Sequence, residues 1–192
     1  MVLAETLRLA DQRGLDAVSM RAVADRLGVT PMALYRHVGD KRALLDGLVE
    51  RLLVELPPPD PGLPWAERLG AMATALRAVA RRHPTVFPLL LRRPAATEGA
   101  LRVREALYDT LRDAGLAELE VRRGERMLST FMIGFAASES GGRFTVTGEQ
   151  LDEDLAWLGE HLVGAIATHT GHLAARPGDG DPPRETILPT GD

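Results

Sequence analysis

The sequence has no cysteine, few aromatic residues and no long apolar run. The absence of cysteine excludes a disulfide framework, a thiolate metal site and a cysteine nucleophile, and it favours a reducing compartment. Aromatic residues make up 4% of the chain, and only residues 144–147 alternate in the β-branched manner of a strand. No apolar run is long enough to cross a bilayer, and Glu5 lies where a signal peptide would be basic. We therefore expect a cytoplasmic protein with no membrane partner.

Helical periodicity dominates a chain of ordinary globular composition. Of its 192 residues, 45% are hydrophobic and 26% are charged, which is typical of a folded chain with its own core. The spacing of apolar residues and the positions of capping residues predict an all-α fold. The expected helices are Val2–Arg13, Met20–Leu27, Pro31 to about Val38, Lys41 to about Leu56, Trp65–Arg82, about Thr97 to Ala114, Ala117 to Ser140 and Leu151 to Ala175.

The most informative block runs from Ser19 to Arg42. Two short helices are separated there by a tight turn at Gly28, with one helix before them and one after, which is the arrangement of a helix-turn-helix. Ser19 and Thr30 are good helix N-caps. Five cationic residues oppose two acids in this block, so it carries +3 in a chain whose net charge is −4. Phosphate contacts need such a basic patch, and the pattern therefore predicts double-stranded DNA as a partner.

The helix that begins at Pro31 has an inner and an outer side. Leu34 and Val38 are spaced to face the core. The outer residues, with their expected partners, are Met32 and Ala33 for thymine methyl groups, Arg36 for guanine or phosphate, and Tyr35 and His37 for phosphate oxygens. Lys41 adds a cation beside the free backbone N–H groups of the next helix. For Arg26 and Arg42 we expect solvated surface side chains.

Residues 19–38, followed by Gly39-Asp40-Lys41 and Leu44-Leu45, closely resemble the DNA-binding domain of the tetracycline-repressor (TetR) family. The similarity includes the Leu-Gly-Val turn at 27–29 and the Leu-Tyr-Arg-His run at 34–37, and it extends from about Leu3 to Leu53. It implies DNA contacts at Arg21, Met32, Ala33, Tyr35, His37 and Lys41, the last three mostly to phosphates. With Thr30, Pro31 and Arg36 these form the full predicted DNA-binding set. Family members usually carry several residues, often basic, ahead of the first helix, so either the start at Met1 is truncated or those contacts are missing.

A proline-rich joint at 57–64 separates two parts of the chain, because its prolines remove backbone donors and favour extended conformations. We predict a helix-turn-helix DNA-binding domain at residues 1–45 and a larger helical ligand-binding and dimerisation domain at 46–175. Residues 176–192 are rich in Pro, Gly and Asp, which favours a disordered tail. The apolar stripe of the helix from Lys41 to about Leu56 is long enough to join the two domains.

The larger domain bears a more general resemblance to the C-terminal domain of the tetracycline-repressor-like branch of the family. Residues 127–137 are apolar all round, so that helix must be covered on more than one side. The last helix has a second face whose small residues would allow another helix to lie close. We infer a homodimer with a four-helix seam built from these two helices of each subunit.

Met and aromatic side chains with a few polar groups suit a small, largely apolar effector. The predicted ligand-binding residues are Met72, Leu76, His83, Phe87, Leu90, Met127, Phe131, Phe135, Trp157 and His161. The alternative for each of them is an ordinary core position, since a stripe of this kind usually forms core, and His161 is more often a satisfied core histidine than a ligand contact.

No pattern indicates catalysis, a cofactor or a metal. His169 and His172 share a helix face, but the sequence offers no third ligand beside them. Ser140 has no base arranged next to it. We therefore predict a non-enzymatic, ligand-responsive repressor that binds a palindromic operator as a homodimer and is released by a small molecule. The alternatives are an activator or unliganded regulator and, from another class, a helical small-molecule-binding protein or enzyme.

Overall fold

The computed structural model describes residues 1–93 and 97–175, and all regular secondary structure in them is helical. The predicted all-α class is thereby confirmed, whereas the predicted tail at 176–192 lies outside the described residues. Two short 3-10 turns, Leu15–Ala17 and Phe87–Leu91, interrupt the series of α-helices. The α-helices are α1 (Val2–Arg13), α2 (Met20–Leu27), α3 (Pro31–Val38), α4 (Lys41–Val54), α5 (Trp65–Arg82), α6 (Glu98–Asp113), α7 (Glu118–Ser140) and α8 (Gly148–Ala175).

The start of α8 differs from the prediction for a local reason. The helix begins at Gly148 rather than at Leu151, because Thr147 and Gln150 cap it reciprocally. The Gln150 N–H donates to Thr147 Oγ1 at 3.3 Å, and the Thr147 N–H donates to Gln150 Oε1 at 3.0 Å. Residues 144–147, which end at the capping residue Thr147, form no strand. Helix α4 also ends slightly early, at Val54.

The first three helices and the start of α4 form a small bundle. Helix α1 packs against α2 and α4, and α2 packs against α3. The apolar faces predicted from the periodicity are the buried ones. Its interior contains Leu7, Leu9, Ala10, Val18, Met20, Val23, Ala24, Leu34 and Leu44.

One buried hydrophobic cluster continues from this bundle into the larger part of the molecule, where a second, smaller cluster surrounds Leu111. Val79 and Phe87, which follow the joint, belong to the same buried cluster as Leu34 and Leu48. Helix α4 supplies much of this continuity, since it packs on α1 and on α6 and buries a continuous face. Helices α5, α6 and α7 pack on one another beyond it. Movement of α4 would therefore change packing contacts both in the small bundle and in the larger part of the molecule.

Candidate DNA-binding surface and ligand cavity

Short-range hydrogen bonds set the positions of α2 and α3. The Ala22 N–H donates to Ser19 Oγ at 3.1 Å at the start of α2, and the Ala33 N–H donates to Thr30 Oγ1 at 3.2 Å at the start of α3. Between the two helices Gly28 has φ 68° and ψ 28°, a left-handed conformation that lets the chain turn without steric cost. Pro31 occupies the first turn of α3, where no N–H is needed.

Helix α3 buries one side and exposes the other, as its sequence predicts. Leu34 is buried and Val38 is partly buried. Met32 is 70% exposed and Tyr35 is 48% exposed, while Ala33 is partly covered. The other outward members of the predicted DNA-binding set, all exposed, are Thr30, Pro31, Arg36 and His37. The side of α3 opposite its core contacts is thus accessible along its length.

Cations flank this exposed side. The Arg21 side chain on α2 is 86% exposed and lies 4.0 Å from Asp25. Lys41 is exposed at the first residue of α4. Arg26 is exposed, as expected for it, and it also links α2 to α1, since its Nε lies 2.7 Å from Glu5 Oε1. Arg21, Arg36 and Lys41, which the sequence assigns to DNA, all face outward, and so does Arg42, for which a solvated side chain was expected.

A cavity of about 730 Å³ lies in the larger part of the molecule. It is enclosed by the end of α4, the proline-rich joint, α5, α6, α7 and α8, and most of its wall is apolar. Leu53 on α4 and Leu56 just beyond its end lie on the wall, so this helix connects the cavity with the bundle of α1, α2 and α3. The other apolar side chains on its wall include Leu69, Met72, Leu76, Leu90, Val103, Leu107, Leu128, Phe131, Met132, Ile133, Leu155, Leu158 and Leu162.

Some of the predicted ligand-binding residues come together in this cavity. Its wall includes Met72, Leu76, Leu90 and Phe131. Phe87, by contrast, is fully buried in the core. His83 is buried where α5 ends, with its Nδ1 at 2.8 Å from Asp11 Oδ2 and its Nε2 at 3.3 Å from Glu55 Oε1, so it links α1, α4 and α5.

The remaining predicted ligand residues also lie off the cavity wall. Met127 is 73% exposed and Trp157 is 61% exposed, both on the outside of the subunit. His161 is exposed rather than a core histidine, and its Nδ1–H donates to the Trp157 carbonyl at 2.7 Å. Phe135 packs against Phe131 and Phe144, with ring centroids 6.0 Å and 5.5 Å apart. A helical apolar stripe does not reveal which of its residues meet a cavity and which meet core or solvent.

Sequence reasoning missed an ionic cluster at the cavity wall. Arg77 on α5 donates to Glu139 on α7, from Nε to Oε2 at 2.5 Å and from Nη2 to Oε1 at 2.7 Å. Its Nη1 lies 2.6 Å from Asp152 Oδ1 on α8. Arg81 also donates to Glu139 Oε1, at 2.6 Å. These partners come from three helices, and no local spacing signals that they meet.

The cluster changes the acidity of its members. Hydrogen bonding to Glu139 raises the pKa of Arg77 against the opposing effect of burial. Burial acts to raise the pKa of Glu139, but its hydrogen bonds with Arg77 and Arg81 outweigh that effect and hold the pKa below its ordinary value. Hydrogen bonding to Arg77 lowers the pKa of Asp152. Arg77, Glu139 and Asp152 are therefore charged at neutral pH.

Polar contacts also fasten the end of α4 to α6. Arg102 on α6 donates through Nη2 to the carbonyl oxygens of Leu53 and Leu56, at 2.8 and 3.1 Å. The Gly99 N–H donates to Glu50 Oε1 at 2.8 Å. Arg102 also lines the cavity. Arg102 therefore connects the cavity directly with the end of α4, and a change in the shape of the cavity would act on that helix.

Helices α7 and α8 carry exposed apolar side chains. Within α7, all of whose residues the structure describes, only Val121 and Ala136 are buried. Leu119 is 59% exposed, and Phe131 is 43% exposed even though it also reaches the cavity. These residues, with Met127 and Trp157, leave an uncovered apolar surface.

Histidine and acid side chains form pairs rather than metal clusters in the part of the chain that the structure describes. No three His, Cys, Asp or Glu side chains gather there in a way that could hold a metal ion. His169 does find an acid, since its Nε2 lies 2.6 Å from Glu120 Oε1 on α7. Across residues 1–93 and 97–175, no helix is long and apolar enough to cross a membrane.

Two known protein families match successive parts of the chain. The family described as "Bacterial regulatory proteins, tetR family" matches residues 2–48, and "Tetracyclin repressor-like, C-terminal domain" matches residues 58–158. The HTH-type transcriptional repressor DrrR1 of Streptomyces coeruleorubidus is 33% identical over 142 residues, which are 72% of this chain and 52% of DrrR1. The chain thus matches about half the length of that relative.

Solved structures share the fold over nearly the whole chain. BioQ of Mycobacterium smegmatis gives a TM-score of 0.76 at 25% identity, covering 88% of this chain and 96% of BioQ. BioQ has also been solved with its natural double-stranded DNA operator. ActR of Streptomyces coelicolor in complex with (S)-DNPA gives a TM-score of 0.69 at 27% identity, covering 91% of this chain and 96% of ActR. One neighbour is thus seen with DNA and another with a small molecule.

Proposed function

This chain belongs to the TetR family of bacterial transcriptional regulators, and we propose that it is a homodimeric repressor released from a palindromic operator by a small-molecule effector. The observation that carries this proposal is the exposed outer side of α3, presented by a capped helix-turn-helix and flanked by outward-facing cations. The family consists of regulators rather than enzymes, and we propose no catalytic role.

DNA binding is proposed to place α3 in the major groove. Ala33 and Met32 would lie against base edges, while Tyr35, His37 and Lys41 would contact phosphates. Two subunits would place their α3 helices in successive major grooves, about 34–36 Å apart, on an approximately palindromic site. The operator complex of BioQ supports DNA binding by a protein of this fold.

The second subunit is proposed to cover the apolar surface of α7 and α8. Met127 and Trp157 are large apolar side chains exposed to 73% and 61% on the isolated subunit. Exposed apolar side chains that form a patch commonly mark a protein interface. A seam of two helices from each subunit would bury it and set the distance between the two α3 helices.

Release is proposed to pass through α4. A ligand in the cavity would press on Leu53 and Leu56 at the α4 end and on Arg102, which holds that end to α6. A shift of α4 would move the DNA-binding bundle, since they share one core. Because the linkage is reciprocal, operator DNA must weaken effector binding by the same factor by which the effector weakens operator binding.

We also propose that the domains divide at residues 1–45 and 46–175. This division places the boundary inside α4, and two observations support it. Helix α4 begins at the DNA-binding bundle, and it ends at the cavity wall.

Binding to the DNA that flanks the protein's own gene tests the proposal. We expect a mobility shift that unlabelled flanking DNA competes away and unrelated DNA does not. Ala33→Phe should abolish the shift or change its base preference, whereas the control Ala78→Phe, at an exposed position of α5, should preserve it. Absence of a sequence-specific shift would overturn the proposal and favour a small-molecule-binding protein or enzyme.

A transcriptional reporter in a deletion background tests the sign of regulation. Repression requires that transcription from the neighbouring promoter rises when the gene is deleted and falls when it is restored. A fall on deletion would instead identify an activator.

A further inference from the structure

The cavity wall contains one buried guanidinium with two unequal partners. The Arg77 side chain is 9% exposed and that of Glu139 is 8% exposed, and the two are joined by two hydrogen bonds. The Asp152 side chain, also bound to Arg77, is 61% exposed and itself lines the cavity. Glu139 is therefore a fixed partner of Arg77, whereas Asp152 holds a position that solvent can reach.

The charges of the cluster leave room for one exchangeable anion. Arg77 and Arg81 bring two positive charges, and Glu139 neutralises one of them inside the protein. Asp152 neutralises the other from the surface, with its Oδ1 at 2.6 Å from Arg77 and 3.4 Å from Arg81. A guanidinium stays charged at any physiological pH, so whatever occupies the Asp152 position must be an acceptor and is best an anion.

The surroundings of this position are aromatic and aliphatic. The Arg77 guanidinium lies 5.8 Å from the centre of the Phe135 ring, which packs on Phe131 at the cavity wall. A neutral apolar ligand filling the cavity would cover the Arg77–Asp152 pair and remove it from water, which is costly for an ion pair. A ligand that brings its own anionic oxygen would avoid that cost by replacing Asp152.

We propose that the effector is an amphipathic anion, an aromatic or polycyclic body bearing a carboxylate, sulfonate or phenolate, whose anionic oxygen binds Arg77 in place of Asp152. This inference rests on the proposed function, which makes the cavity the effector site. It sharpens the largely apolar effector expected from the sequence by adding one required charge. The exchange also breaks the salt bridge between Arg77 on α5 and Asp152 on α8. Ligand binding would therefore remove one contact that positions the first turns of α8.

Two fluorescent probes with the same ring system separate the charge from the apolar body. Anilinonaphthalene sulfonate carries an anionic group, and N-phenylnaphthylamine is its neutral counterpart. The full-length protein should bind the sulfonate at least about tenfold more tightly, as expected for a hydrogen bond between two charged groups. Phe131→Ala should weaken the binding of both probes, and that result would locate their binding site in the cavity.

Substitution of Asp152 gives the decisive variant, because its exposed side chain can be changed without burying a charge. Asp152→Asn should strengthen sulfonate binding about fivefold or more by removing the competing anion, and it should leave the neutral probe unchanged. Arg77→Gln, if circular dichroism shows that it folds, should abolish the preference for the sulfonate.

Arg68, on the same helix as Arg77, pairs with Asp113 at the end of α6, and this pair provides a matched control. Their side chains are 8% and 60% exposed and lie 2.5 Å apart, nearly as in the Arg77–Asp152 pair, but neither lines the cavity. Asp113→Asn should therefore change the binding of neither probe.

Distinct outcomes separate failure of this inference from failure of the proposed function. Equal affinity for the two probes, or no gain for the sulfonate in Asp152→Asn, would overturn the anionic effector while leaving a ligand cavity in place. If neither probe binds, or Phe131→Ala affects neither, the cavity is not a ligand site, and the proposed effector response fails with it.

Discussion

The bundle of α1, α2 and α3 and the cavity of the larger part differ in how far apart in the chain their determining residues lie. At the start of α3 the capping partners Thr30 and Ala33 are three residues apart. At the cavity wall Arg77 meets a partner 62 residues away, and the lining extends from Leu53 to Val163. The first region presents its function on one short helix, whereas the second has no functional surface until five helices have packed together.

The largest loss of stability should follow from removing a large side chain from the core. Phe87 is fully buried, so Phe87→Ala should lower the free energy of unfolding by about 3–5 kcal/mol. Phe131→Ala, at a half-exposed position on the cavity wall, should cost less stability and reduce binding of anilinonaphthalene sulfonate. Urea unfolding at one fixed protein concentration measures the stability of both variants, since a dimer's stability depends on concentration. If Phe87→Ala kept normal stability but no longer bound the probe, Phe87 would be a ligand-binding residue and not a core residue.

The sequence predicted the outward-facing side of α3 closely because the signals that determine it are local. Caps, the turn at Gly28 and the i, i+4 spacing of Leu34 and Val38 determine which side of α3 faces outward, and the exposures of Met32 and Tyr35 agree.

The cavity could be predicted only in part. Periodicity distinguishes the apolar from the polar face of a helix, but it does not tell core from cavity or from subunit interface. Phe87, Leu76 and Met127 therefore appeared equivalent in the sequence, although one is core, one is cavity wall and one is solvent-exposed. The position of Arg77 depends on three helices meeting and left no trace in the local pattern.

The long-range character of the cavity region can be tested at Glu139. Glu139→Gln leaves the Arg77 charge without its buried partner, and loss of one partner of such a pair typically costs about 3–5 kcal/mol. Glu118→Gln is the matched control on α7, because its carboxylate pairs with Arg112 and Arg122 at the surface and should matter little.

The pH dependence of the same variant supplies a second measurement. The pKa of Glu139 is lower in the folded protein than its ordinary value. Its stabilising contribution is therefore present above the unfolded-state pKa, about 4.3, and is lost as the pH falls through the folded-state pKa. The difference in unfolding free energy between the original protein and Glu139→Gln should narrow as acid is added. A difference that stays constant would mean that the Glu139 charge is not its cause.

The DNA-binding region can be tested through its phosphate contacts. Lys41→Ala should weaken operator binding about tenfold or more and lower the slope of log affinity against log salt by about one for each lost phosphate contact. Base preference should not change. Arg26→Ala is the control, because Arg26 already pairs with Glu5 on α1, and its salt slope should match that of the original protein. Equal slopes for Lys41→Ala and the original protein would exclude Lys41 from the interface.

The smallest expected effect tests how local the DNA-binding region is. Thr30→Ala removes the oxygen that accepts from the Ala33 N–H and should lower the free energy of unfolding by about 1 kcal/mol, while Thr30→Ser keeps the acceptor and should retain it. Because the cap orients the first turn of the helix that carries Met32 and Ala33, operator affinity should fall in Thr30→Ala and recover in Thr30→Ser. Urea unfolding and operator titration on the same two variants measure the two effects together. A Thr30→Ala protein that loses stability but binds the operator normally would show that α3 is held by its core contacts alone, and the short-range determinants would then matter less than the sequence implies.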